Sequence, residues 1–122
     1  MASILVVEDT LANMTLAVFL LEQAGHSVLQ ATDAETGLAL ARAERPALIL
    51  MDIQLPGMDG LQATAMLKRD PATQSIPIIA LTALAMKGDE ARIRAAGCDG
   101  YIAKPMRYKE LIAAVDATLR VA

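Results

Sequence analysis

Hydrophobic and polar positions divide the chain into five short apolar runs, each followed by a longer segment of helical character. The most informative run is Ala47-Leu48-Ile49-Leu50-Met51, which shows no polar–apolar alternation before it stops at Asp52. A run so short and so uniformly apolar predicts a strand buried on both faces, and hence a parallel sheet covered by helices. Pro56, Gly57 and Gly60 then mark a turn. Asp52 is thereby placed at the carboxyl end of a central strand, the edge of an open α/β sheet where ligands bind.

The other elements follow in order. Residues 4–7 form a β-branched run ending at Glu8 and Asp9. Residues 11–24 contain no Gly or Pro, and Gly25 supplies the helix stop. A weaker strand over 27–31 precedes an Ala- and Leu-rich helix over 34–44, closed by Pro46. A third helix is predicted over 60–69, before Asp70-Pro71. A fourth strand covers 77–81, with Pro at its first position and Thr82 at its end. Residues 85–96 read as a helix stopped by Gly97, 100–103 as a strand ending at Lys104-Pro105, and 107–120 as a final amphipathic helix. Five β-α units imply a single doubly wound α/β domain over residues 1–122, with helices on both faces of a parallel sheet and right-handed crossovers. No linker, low-complexity segment or output domain is expected.

Composition narrows the function classes. Hydrophobic residues make up 55% and charged residues 20%, a globular balance. Aromatics are only 2%, which disfavours a module that stacks nucleic-acid bases. A net charge of −3 and a pI near 5.0 disfavour binding to phosphate backbones. The single cysteine, Cys98, excludes an internal disulfide and any multi-cysteine metal site, and suits a reducing cytoplasm. No apolar run reaches the length of a membrane span, and no secretory signal is visible. A cytoplasmic protein without nucleic-acid or membrane partners is expected.

Parallel strands bring their carboxyl ends to one edge, and four of the five end in residues able to do chemistry: Glu8 and Asp9, Asp52, Thr82 and Lys104. Each has a plainer role available, the acids and Thr82 as helix caps and Lys104 as a surface cation. Their coincidence at one edge favours a site. Three converging carboxylates repel one another unless a cation or raised pKa values intervene. An all-oxygen donor set points to a hard ion, and Mg²⁺ suits a site with few protein ligands. Lys104 adds a point charge able to pair with Asp52 or a phosphoryl oxygen.

Val7-Glu8-Asp9, Met51-Asp52-Ile53-Gln54-Leu55-Pro56-Gly57-Met58-Asp59-Gly60, Leu81-Thr82-Ala83 and Tyr101-Ile102-Ala103-Lys104-Pro105 resemble the receiver domains of bacterial two-component response regulators. The likeness is ordered, correctly spaced and spans essentially the whole chain. It is greatest to the stand-alone DivK type, through residues 8–14 and 86–94. The resemblance implies a flavodoxin-like fold with strand order 2-1-3-4-5. It also implies a phosphorelay protein, not an enzyme with an external substrate, in which Asp52 accepts a phosphoryl group from a histidine kinase or histidine phosphotransfer protein. By the same resemblance Asp9, Asp52 and the Gln54 carbonyl would ligate Mg²⁺ directly and Glu8 through water. Lys104 would hold the phosphate, Thr82 would close on it, and the Lys104–Pro105 bond would be cis. A downstream protein target would meet the face of the fourth helix, fifth strand and fifth helix, with Thr82 and Tyr101 as switch residues.

Ala47 stands where the family commonly has Asp, which affects solvation. Gln54 and Leu84 occupy positions that influence acyl phosphate hydrolysis, leaving its lifetime open. Rival readings are weaker. A haloacid-dehalogenase-like phosphatase needs a second Asp two residues after the nucleophile, where Gln54 stands. A flavin or nucleotide carrier needs a phosphate-cradling loop, whereas Glu8-Asp9 opens the first loop here. A receiver-like binding module that works without phosphorylation is disfavoured by the complete site.

Periodicity singles out the first helix. Leu16, Ala17, Leu20, Leu21 and Ala24 form one apolar stripe sufficient for the core. Leu11, Met14 and Val18 fall on another side, and Glu22 is the helix's only charge. These three are therefore expected to form a surface for a kinase or phosphotransfer protein; the alternative is that the final helix covers them. His26 is expected at the surface, Cys98 in a structural turn, and the methionines as core or interface filler.

Overall fold

The computed structural model describes residues 2–83 and 87–121. Strands β1 (Ser3–Val7), β2 (Ser27–Ala31), β3 (Leu48–Asp52), β4 (Ile78–Thr82) and β5 (Gly100–Ala103) alternate with helices α1 (Leu11–Gln23), α2 (Ala34–Glu44), α3 (Gly60–Arg69), α4 (Lys87–Ala95) and α5 (Tyr108–Val121). The expected start of the fourth helix, and Leu84 and Met86, lie outside the described residues. The strands form one parallel sheet in the order β2-β1-β3-β4-β5.

The period of two along each strand divides the core into halves. Leu5, Val7, Ile49, Met51, Ile78 and Ala80 face α2, α3 and α4, where they meet Leu38, Ala41, Ala63, Leu67 and Ile93. Ile4, Val6, Leu48, Leu50, Ile79 and Leu81 face α1 and α5, meeting Ala17, Leu21, Leu111 and Val115. All five residues of β3 and of β4 are buried, as their unbroken apolar runs require. β2, at the sheet edge, retains exposed positions at Ser27 and Gln30.

Local chemistry sets where the helices start and stop. Gly25, with φ of 93°, takes the left-handed conformation that ends α1. Asp33 caps α2 by accepting the Thr36 N–H at 2.7 Å, a bond that holds its carboxyl below the usual range. α3 begins with a complete capping box: Asp59 Oδ1 accepts the Gln62 N–H at 2.8 Å, and Gln62 Oε1 accepts the Asp59 N–H at 3.2 Å. That box fixes α3 relative to the loop leaving β3, and so relative to Asp52. Among the described residues, no helix is long and apolar enough to cross a membrane.

Candidate phosphoacceptor and metal site

The sheet register brings the site together. Val7 pairs with Met51, so Glu8 and Asp52 emerge side by side one residue further on. Asp52 pairs with Leu81, and the Lys104 N–H bonds the Thr82 carbonyl at 2.8 Å, which sets the start of the Lys104 side chain beyond β4. The Lys104–Pro105 peptide is cis.

Asp52 is only 2% exposed and its two oxygens have different partners. Oδ1 accepts the Gln54 N–H at 2.9 Å, and Oδ2 accepts from Lys104 Nζ at 2.9 Å. The same ammonium stands 2.8 Å from Glu8 Oε1. Glu8 Oε2 accepts the Thr10 N–H at 3.1 Å. Glu8 is fully buried, and burial raises its carboxyl above the ordinary value, reinforced by the neighbouring Asp52 and opposed by Lys104. Burial pulls the Lys104 ammonium down, but its bonds to Glu8 and Asp52 outweigh this and leave it raised.

One oxygen each from Glu8, Asp9 and Asp52 lie within 4.8 Å of one another. Three carboxylates face one ammonium, so the cluster carries excess negative charge. Glu8 Oε1 adds a second sign: it is buried, and the ammonium beside it, Lys104 Nζ at 2.8 Å, is shared with Asp52. Oxygen donors, excess negative charge and two buried carboxylates sharing one ammonium fit a hard divalent cation. Asp9 is exposed, so the cluster opens to solvent.

The other expected site residues are distributed more widely. Thr82 is buried at the end of β4, and Gln54 is exposed after β3. Tyr101 lies on β5 opposite Ala80, with 37% of its surface exposed.

The first-helix surface requires correction. Met14 is 4% exposed and belongs to the core half that contains Leu111 and Val115, and Val18 packs partly buried against the same cluster. α5 lies on the same sheet face as α1, and Met14 and Val18 join the apolar cluster that holds its Leu111 and Val115, the side that helical periodicity assigns to solvent. Leu11 does reach solvent, at 80% exposure, and is accompanied by Phe19, at 56%. Spacing could have found Phe19: Leu11, Thr15 and Phe19 recur every four residues and are all exposed. His26 is half-buried, its Nδ1 accepting the Ala2 N–H at 3.2 Å, so it pins the N-terminus to β2. Cys98 is buried and free, with Sγ 3.8 Å from Thr64 Oγ1.

Comparison with known proteins agrees with this geometry. Residues 4–116 match the response regulator receiver domain family. The polar-differentiation response regulator DivK of Brucella anthropi is 46% identical over 117 residues, covering 96% of this chain and 95% of that protein. The receiver domain of a Pseudomonas aeruginosa sensor histidine kinase, solved with a magnesium ion coordinated in its active-site cleft, superposes with a TM-score of 0.90 at 35% identity, covering 97% of each chain. The Vibrio cholerae chemotaxis protein CheY4 superposes with a TM-score of 0.91 at 25% identity, covering 97% of this chain and 98% of its own. The chain belongs to the response regulator receiver domain family. Receiver domains are phosphoacceptors of two-component signalling, and this one has an acidic cluster suited to phosphorylation and metal binding.

Proposed function

We propose that this receiver acts as a single-domain switch in which Asp52 accepts a phosphoryl group from the phosphohistidine of a kinase or phosphotransfer protein. The observation that carries the reading is the buried Asp52 carboxylate, held by the Gln54 amide on one oxygen and by Lys104 on the other. In the transfer, an Asp52 oxygen bonds to phosphorus, the phosphorus–nitrogen bond breaks, and the imidazole leaves with its electron pair and takes up a proton. Such chemistry asks for positioning and charge stabilisation. Lys104 supplies a cation within reach of the phosphoryl oxygens, and Thr82 a hydroxyl from β4. Asp9, Asp52 and the Gln54 carbonyl would hold Mg²⁺ directly, and Glu8 through water. When bound, Mg²⁺ supplies positive charge that offsets the carboxylates and the incoming phosphoryl group.

The donor docks on the exposed Leu11-Thr15-Phe19 face of α1, which starts two residues after Asp9. The downstream target meets α4, β5 and α5, where Tyr101 is exposed. Incubation with acetyl phosphate and Mg²⁺ should add one phosphate to the intact protein by mass spectrometry. Asp52→Asn should abolish the addition and a chelator should suppress it. Equal labelling of the variant would overturn the assignment of Asp52, and labelling indifferent to the chelator would overturn that of the metal.

A further inference from the structure

We infer that Gly60 is a positioning residue for the phosphoacceptor: its bare Cα is the seat on which the Asp52–Ile53 peptide rests. The inference deepens the reading of Asp52 as acceptor and rests on it. Gly60 is the first residue of α3, and glycine is a poorer helix former than alanine. Conformation does not require it, because Gly60 is absent from the glycines with positive φ, which are Gly25, Gly57 and Gly97. Space does. A Cβ at Gly60 would overlap the Asp52 carbonyl oxygen and lie 2.8 Å from both the Asp52 carbonyl carbon and the Ile53 Cα. These are backbone atoms at the end of a buried strand, so they cannot rotate aside as a side chain would.

The approach is held from both sides. The Gly60 N–H bonds the Ile53 carbonyl at 3.4 Å. The buried Thr64 Oγ1 donates to the Gly60 carbonyl at 2.8 Å, one turn along α3. The capping box fixes the start of the helix at Asp59. Displacing the Asp52–Ile53 peptide would carry with it the Gln54 amide that anchors Asp52 Oδ1, and would turn Oδ2 away from Lys104. Small displacements of a reacting group are costly, about a hundredfold in rate for 1 Å.

The test compares Gly60→Ala, Thr64→Val, Thr64→Ser, Leu67→Ala and Asp52→Asn. Readouts are thermal melting, acetyl phosphate labelling at saturating Mg²⁺, and the Gln54 amide resonance in Mg²⁺-free protein. Gly60→Ala should melt cooperatively, label at least about tenfold more slowly, and shift the Gln54 amide upfield as its bond to Asp52 lengthens. Leu67→Ala, which weakens the same helix by loss of a buried side chain, should melt lower yet label at the wild-type rate with an unmoved Gln54 resonance. Thr64→Val should slow labelling and Thr64→Ser should restore it, a pair that decides the matter should Gly60→Ala fail to fold. Wild-type labelling by a folded Gly60→Ala, by Thr64→Val, or slowing by Leu67→Ala equal to that by Gly60→Ala would each overturn the inference. Labelling of Asp52→Asn at the wild-type rate would overturn the acceptor assignment itself, whereas a silent Asp52→Asn beside an unimpaired Gly60→Ala would remove only the positioning role.

Discussion

Residues in this receiver with similar chemistry behave differently because of where the fold places them. Lys104 serves two buried carboxylates, whereas Lys68, on α3, joins structural partners: Nζ donates to the Ile76 carbonyl at 2.9 Å and pairs with Asp99 at 3.1 Å. Asp99 also accepts the Ile78 N–H at 2.8 Å, so this pair ties α3 to the start of β4, at the opposite edge of the sheet from Asp52. Cys98 lies beside that tie, buried, and burial pushes its thiol above the ordinary value of 9.0. The linkage sign follows. Between 9.0 and the raised native value, the unfolded chain has lost the thiol proton and the native state keeps it, so stability falls as pH rises through that window. Urea unfolding at alkaline pH should show this decline in the wild type and less of it in Cys98→Ala. Native Cys98 should also alkylate far more slowly than the urea-unfolded thiol. Identical pH profiles, or fast native alkylation, would contradict the buried, protonated state.

Elements differ in how much of them can be read from sequence. The ends of β2, α2, α3 and β5 agree with the sequence because Asp33, Asp59, Pro46, Gly60 and the apolar runs act locally. The convergence of Glu8, Asp9, Asp52 and Lys104 was legible for a topological reason: parallel strands put all their carboxyl ends at one edge. Met14 and Val18 differ from expectation because α1 is apolar on several sides, and only tertiary packing decides which of them join the core. The Gly60 contact was equally hidden, since a glycine after a strand marks a turn in sequence and reveals a close approach only in three dimensions. The corrected α1 face makes its own prediction. Leu11→Glu with Phe19→Glu adds charge only at exposed positions, so the fold and acetyl phosphate labelling should persist while transfer from a cognate kinase slows severely. Loss of both reactions would indicate damage to the site, and loss of neither would exclude this face as the docking surface.

At the scale of the whole molecule, a buried event at Asp52 must reach a surface that a partner can read. β4 and β5 provide a route of paired strands. Leu81 pairs with Asp52 and with Ile102, and Thr82 pairs with Ala103, next to the Lys104 that touches Asp52. Tyr101 is one residue away on β5 and is exposed in this structure. A phosphoryl group on Asp52 would compete for Lys104 and draw the Thr82 hydroxyl toward its oxygens. Space left by Thr82 would then admit the Tyr101 ring from solvent. Phosphate that bonded Thr82 in one arrangement and not in the other would interact unequally with the two states, which a ligand must do to shift a population. Thr82→Ala removes that inequality while leaving Asp52 and Lys104 in place. Amide and ring resonances of Tyr101, and amides of Ile102 and Arg107, should therefore move on phosphorylation of the wild type and far less in phosphorylated Thr82→Ala. Tyr101 resonances that stay fixed in the phosphorylated wild type would rule out this route, and equal movement in Thr82→Ala would place the coupling on another residue.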